Sequence, residues 1–147
     1  MPIRITGGDL RGRMVPSPPS MKTRPTGSRT REALFNILQS VDGACMLDLF
    51  AGSGIMGIEA LSRGASRVMA VEMAHSQARL LLQGYKALSL ESKLTLFEKN
   101  VLTLEKEELC AEGGFDLIYA DPPFKGHGVS GFAFLLGVAE SRRCSGV

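Results

Sequence analysis

Short apolar runs alternate along this chain with stretches whose apolar residues recur every three or four positions. The runs are Met46-Leu47-Asp48-Leu49-Phe50, Arg67-Val68-Met69-Ala70-Val71, Leu94-Thr95-Leu96-Phe97 and Phe115-Asp116-Leu117-Ile118-Tyr119-Ala120. Each is short for a helix and bounded by glycine or charge, as a buried strand is. A helix is expected from Ser28, a plausible N-cap, with Leu34, Ile37, Leu38 and Val41 on one face and Asp42-Gly43 ending it. Ile58-Glu59-Ala60-Leu61 reads as helical, and Arg63-Gly64 closes it with a glycine. Residues 75–88 follow, with Ala78, Leu81, Leu82 and Tyr85 facing inward. Residues 102–111 read as a short acidic helix, because Glu105, Lys106, Glu107 and Glu108 need water. Phe132-Ala133-Phe134-Leu135-Leu136 would start another helix. This alternation predicts an α/β fold, a parallel sheet with helices on both faces. Ligands of such sheets bind outside the carboxyl ends of the strands.

The first of these strand–helix junctions carries a glycine pattern. Ala51-Gly52-Ser53-Gly54-Ile55-Met56-Gly57 places Gly52, Gly54 and Gly57 in a G-x-G-x-x-G turn, which lets backbone approach an adenosine-containing cofactor. The next strand ends at Glu72, 20 residues past Gly52, the spacing at which an acid reaches a ribose hydroxyl pair. A nicotinamide dinucleotide and S-adenosylmethionine both suit this turn. Asp48, four residues before Gly52, favours the second: an acid there attracts a methionyl ammonium and repels a pyrophosphate. Asn100 falls where the third strand's end would meet the adenine.

At the end of the fourth strand stands Asp121-Pro122-Pro123-Phe124. Proline has no backbone N–H, and an ionised carboxylate only accepts. The segment therefore offers acceptors to the two donors of an amine, with Phe124 as a face on which a base can stack. It has no evident role in hydride transfer and a direct one in methylating an amine. The bland alternative is a proline turn after a strand.

Composition narrows the setting. With 147 residues, 44% of them hydrophobic and 22% charged, the chain reads as one ordinary globular domain. No apolar run nears the ~18 residues of a membrane helix, and Met1-Pro2-Ile3-Arg4 lacks the apolar core of a signal peptide. Cys45, Cys110 and Cys144 are scattered, and His75 is far from His127. No metal is expected, a reducing cytoplasm is, and Cys45 reads as a small core residue. His75 reads as a surface residue of a first helical turn. The charge is uneven. Arg4, Arg11, Arg13, Lys22, Arg24, Arg29 and Arg31 stand against Asp9 alone, a net +6 over residues 1–31; the whole chain is +2, so the rest carries −4. A basic arm over residues 1–27, rich in Gly and Pro, followed by an enzyme domain over 28–147, fits a binder of phosphate backbones.

These segments resemble the RsmD-type methyltransferases, which modify the N2 amine of a guanine in bacterial 16S ribosomal RNA. The resemblance runs from about Ile3 to Phe124. It includes Arg4-Ile5-Thr6-Gly7-Gly8, Gly12-Arg13, Thr23-Arg24-Pro25-Thr26, Arg31-Glu32-Ala33-Leu34-Phe35-Asn36-Ile37-Leu38, Leu47-Asp48-Leu49-Phe50-Ala51-Gly52-Ser53-Gly54 and Asp121-Pro122-Pro123-Phe124. It implies a Rossmann-like fold dependent on S-adenosylmethionine. The cofactor would lie on Asp48, Phe50, Ala51, Gly52, Ser53, Gly54, Glu72, Met73, Asn100 and Val101. Asp121, Pro122, Pro123 and Phe124 would act on the amine. The basic residues named above would grip RNA in a small-subunit particle, with no membrane involved. Only 23 residues follow Phe124, where the family continues through three more strands. The last strands are therefore expected to be missing, by truncation or frame shift, with the fourth strand left as a sheet edge. Two other readings stay open: an amino-methyltransferase acting on DNA adenine or protein glutamine, and an inactive RNA-binding remnant.

Overall fold

Ile3–Arg4 (β1) and Met14–Val15 (β2) pair antiparallel, and Ser28–Leu38 (α1) follows. The computed structural model describes residues 2–17, 27–111, 113–122 and 134–136. The main sheet contains Cys45–Asp48 (β3), Arg67–Val71 (β4), Leu94–Phe97 (β5), Leu117–Ala120 (β6) and Phe134–Leu136 (β7), in the order β5-β4-β3-β6-β7. The first four run parallel. Ile55–Ser62 (α2), His75–Ala87 (α3) and Lys106–Ala111 (α4) connect them.

Strand period sorts the core into two layers. Met46, Val68, Ala70, Leu117 and Tyr119 face one side of the sheet, with Phe35 of α1, Ile58 of α2 and Leu81 and Tyr85 of α3. Cys45, Leu47, Met69 and Val71 face the other, with Phe115, Leu104 and Leu109. Helices thus cover both faces, as the alternation predicts.

Four details depart from the pattern. Ser28 is the first helical residue and Gly27 the cap, without a side-chain cap bond. Helix α1 stops at Leu38 because Gln39 takes φ 65°. Its buried residues are Arg31 and Phe35, one turn apart, and Ile37 is 74% exposed. The acidic stretch after β5 divides into a 3-10 turn, Val101–Thr103, and α4. Finally, Phe134–Leu136 is a strand rather than a helix. It pairs antiparallel with β6 (Ile118 with Leu136, Ala120 with Phe134), so β6 is not the sheet edge. Its one parallel neighbour, β3, leaves the other side of β6 with free N–H and C=O groups, and the extended segment Phe134–Leu136 pairs there.

Residues 2–17 of the basic N-terminal segment are docked on the core. Ile3, Ile5 and Val15 are buried in the same core as α2 and α3. Among the described residues, no helix is long and apolar enough to cross a membrane.

Candidate active site

The same alternation that buries Met46, Val68, Ala70, Leu117 and Tyr119 continues to the strand ends. Counting by twos from Met46 reaches Asp48, from Ala70 reaches Glu72 and from Tyr119 reaches Asp121. All three acids therefore lie on the α2/α3 side of the sheet. Parallel register sets Asp48 beside Ala70 and Tyr119. The pairing continues past the strands: Ala51 N–H donates to Val71 O at 3.0 Å, and Leu49 N–H to Tyr119 O at 3.0 Å. The glycine turn is thus held between its two neighbouring strand ends.

Each glycine meets a different environment. A Cβ on Gly52 (φ 54°) would meet nothing within 4 Å, so this turn opens onto free space. One on Gly54 (φ 78°) would come within 2.7 Å of Leu81 Cγ, and one on Gly57 within 2.2 Å of the Tyr85 hydroxyl. The first glycine therefore leaves room for a ligand, while the other two let the turn and α2 pack on α3 and β4. Gly57 thus serves the helix–strand packing expected of the third glycine of a dinucleotide-type turn, whereas Gly54, where such a turn approaches a pyrophosphate, packs on α3 instead.

Glu72 is anchored by backbone. Its Oε2 accepts from Gly52 N–H at 2.8 Å and its Oε1 from Ala74 N–H at 3.0 Å. Each oxygen keeps a lone pair for a ribose hydroxyl. Asn100 Oδ1 accepts from Leu102 N–H at 2.9 Å, capping the 3-10 turn. Its amide nitrogen can still donate. Val101 is half-buried beside it and Met73 is exposed.

Asp48 is 1% exposed. Burial, then the charges of Glu72 and Asp121, push its carboxyl up to about 7, against a hydrogen bond from the Phe50 backbone. Its Oδ1 and the Tyr85 hydroxyl are buried without hydrogen-bond partners. Burial and the Asp48 charge also raise the Tyr85 hydroxyl well above its ordinary value. Asp121 is half-buried; burial raises its carboxyl, and a hydrogen bond from Tyr119 opposes the rise. An orphaned Asp48 oxygen within electrostatic reach of Glu72 and Asp121, beside an open glycine turn, suits a cation with a ribose attached. These groups fit the ammonium, sulfonium and ribose of S-adenosylmethionine and would repel a pyrophosphate. Among the described residues, no three His, Cys, Asp or Glu side chains gather as a metal site requires.

The basic residues separate. Arg4, Arg11, Arg13 and Arg29 are exposed. Arg31, expected to hold RNA, is 2% exposed instead. Its Nε lies 3.2 Å from Glu59 Oε1 and its Nη2 donates to the Arg4 carbonyl at 2.6 Å. Glu59 is fully buried and also accepts from Thr6 N–H at 2.7 Å and Thr6 hydroxyl at 2.8 Å. A buried acid needs such partners, so Arg31 serves the fold and cannot meet phosphate. Lys22, Arg24, Pro123 and Phe124 lie outside the described residues. His75 is exposed beside Glu98. Tyr85 is buried as expected; its place beside Asp48, and that of Tyr119, has no signal in the sequence beyond a polar-tipped ring at a core position.

The family described as conserved hypothetical protein 95 matches residues 3–136. The ribosomal RNA small subunit methyltransferase D of Escherichia coli is 39% identical over 126 residues, 84% of this chain and 61% of that protein. The chain thus spans about three fifths of that relative's length. The solved structure of yhhF from Escherichia coli superposes with a TM-score of 0.71 at 35% identity, covering 85% of this chain and 66% of that one. At 19% identity, a SAM-dependent O-methyltransferase from Thermotoga maritima shares the fold alone (TM-score 0.54, 69% of this chain and 37% of that one). The strand order, the acid-lined glycine turn and these matches together make the chain a member of the conserved hypothetical protein 95 family, the RsmD-type methyltransferases.

Proposed function

We propose that this protein methylates the exocyclic N2 amine of a guanine in 16S ribosomal RNA, within a small-subunit particle in the cytoplasm, using S-adenosylmethionine. The observation that carries the reading is the convergence of Asp121 with Asp48 and Glu72 beside an open glycine turn. When bound, the cofactor supplies an electrophilic methyl on a sulfonium. The chain's residues supply position and charge. Glu72 accepts from the ribose, Asp48 faces the methionyl ammonium, and Asn100 with Val101 borders the adenine. Asp121 and the Pro122 carbonyl accept the two amine hydrogens, which aims the nitrogen lone pair into the cleft. A guanine amine is a weak nucleophile, so orientation is the main gain. The Asp121 carboxylate also stabilises the positive charge that grows on nitrogen. The base must leave its stack to reach these groups. Arg4, Arg11, Arg13 and Arg29 supply exposed charge for the RNA backbone, on a segment the core holds in place.

Transfer of tritiated methyl to 16S ribosomal RNA, DNA and protein tests the assignment. Label should enter the RNA, and Asp121→Ala should lower turnover roughly 10²–10³-fold, as loss of a transition-state contact does, with cofactor affinity unchanged. Label appearing in DNA or protein alone, or full turnover in Asp121→Ala, would refute it.

A further inference from the structure

We infer that the turn of the N-terminal hairpin is a second RNA contact, set one helix length from the methyl-transfer cleft, where it holds a stretch of substrate several nucleotides away from the methylated guanine. RNA is the substrate here, as in the methyl-transfer reading above, on which this assignment rests. The turn joins β1 to β2 and is tied to the last residue of α2. Asp9 N–H donates to the Ser62 carbonyl at 2.7 Å, Leu10 N–H to the Ser62 hydroxyl at 2.9 Å, and that hydroxyl to the Gly7 carbonyl at 2.5 Å. A Cβ on Gly8 would lie 1.9 Å from the Ser62 carbonyl oxygen, so the two backbones meet there.

Ser62 stands at the amino end of the sheet. Just beyond it, Gly64 O accepts from Gly43 N–H at 2.8 Å and Ser66 N–H donates to Ala44 O at 2.8 Å, immediately before β3 and β4 begin. The glycine turn, Glu72 and Asp121 follow the carboxyl ends of β3, β4 and β6. Between the two places α2 runs eight residues, about 12 Å, and β4 five, about 16 Å. The hairpin is held at its own end of that gap. Ile3, Ile5 and Val15 are buried in the core, and a Cβ on Gly84 of α3 would lie 3.1 Å from Val15 Cγ1.

Charge says what this place takes. Arg11 and Arg13 flank Gly12 and are exposed. The Arg4 guanidinium reaches the same turn, its Nη2 3.7 Å from where a Cβ on Gly12 would stand. Three guanidiniums on one turn, with Asp9 as the acid beside them, repel one another, and a phosphate chain relieves that repulsion. At about 3.4 Å per phosphate along a duplexed strand, the gap corresponds to roughly four or five nucleotides. A shorter RNA reaches the cleft or the turn, not both.

Equilibrium binding of two RNAs to the full chain tests this. Both are centred on the guanine that receives label, one of about 5 nucleotides and one of about 20. The longer RNA should bind the parent more tightly and with a steeper salt dependence. Arg11→Ala combined with Arg13→Ala should lower that slope by about 1.5, at about 0.7–0.9 per phosphate contact, and weaken the longer RNA on the order of tenfold at about 0.2 M salt. The short RNA should bind parent and variant within about twofold. Equal affinity and slope of parent and variant for the longer RNA would overturn the inference. So would an equal loss on both RNAs, which puts these arginines at the cleft, or a loss confined to assembled small-subunit particles, which makes the partner a protein. Asp121→Ala separates this contact from the reaction: length-dependent binding should persist there while methyl transfer stops. Methyl transfer to RNA without any length effect on binding ends the inference and leaves the methyl-transfer reading standing. Label entering DNA or protein alone ends both.

Discussion

Asp48→Asn removes one negative charge from the cleft while keeping the side chain's shape, and the structure gives the size of the effect. The Asp48 carboxyl is raised from 3.8 to about 7, chiefly by burial and then by Glu72 and Asp121. Between those values the folded chain holds a proton that the unfolded chain has released. Stability contributed by this group is therefore complete below pH 3.8, falls as pH rises through the window and levels off above about 7. The full loss is on the order of 4 kcal/mol. Asparagine escapes it, and its carbonyl can keep the bond from the Phe50 backbone. Without cofactor, Asp48→Asn at pH 8 should be more stable than the parent by about 2–4 kcal/mol, a Tm higher by roughly 4–16 °C, after allowing for relaxation around the ionised acid. The difference should shrink towards zero near pH 4. S-adenosylmethionine should narrow the difference: the variant loses a charge-assisted bond worth about 1.5–3 kcal/mol, roughly 10–150-fold in Kd. Thermal melts of both chains from pH 4 to 8, with calorimetric titration of the cofactor, make the comparison. Melting curves that stay parallel across the whole range would refute the assigned burial of charge.

Two further substitutions probe the frame around the site. Gly57→Ala places a methyl 2.2 Å from the Tyr85 hydroxyl and 2.9 Å from Val68 Cγ1, so it should cost about 1–3 kcal/mol in urea unfolding. Adding Tyr85→Phe should return part of that loss, and equal stability of the single and double variants would contradict the contact. Glu59→Gln leaves Arg31 buried without its counter-charge, a change expected to cost about 3–5 kcal/mol. Amide hydrogen exchange should then quicken over residues 2–17, and unchanged protection there would show that Glu59 does not hold the hairpin.

Much of this could be read along the chain. Strands 94–97 and 67–71 fall where alternating and continuous apolar runs placed them, because burial on a sheet face leaves a local imprint. The three acids at the strand ends follow from counting by twos, and Gly52-Ser53-Gly54 announced the turn between them. What escaped reading depends on neighbours remote in sequence. Arg31 and Glu59 are 28 residues apart, and each alone looks like a surface charge. Nothing local to either says that they bury one another. Val41 is buried as expected, but beyond the end of α1 rather than on its face. Phe134–Leu136 has an apolar character that suits a helix or a strand equally, and the free side of β6 decided between them. The Asn100 cap was missed for the opposite reason: its placement at a strand end drew attention to ligand rather than to its own backbone.

Helix α2 has only eight residues, and its two ends answer to different clients. Its N-terminus follows directly on the Gly52-Ser53-Gly54 turn, whereas Glu59 and Ser62, a turn or two later, clasp Thr6, Gly7 and Leu10 of the basic hairpin. A rod this short cannot bend between those grips. Displacing the hairpin would therefore tilt the glycine turn with it, so the two ends of the helix move as one lever.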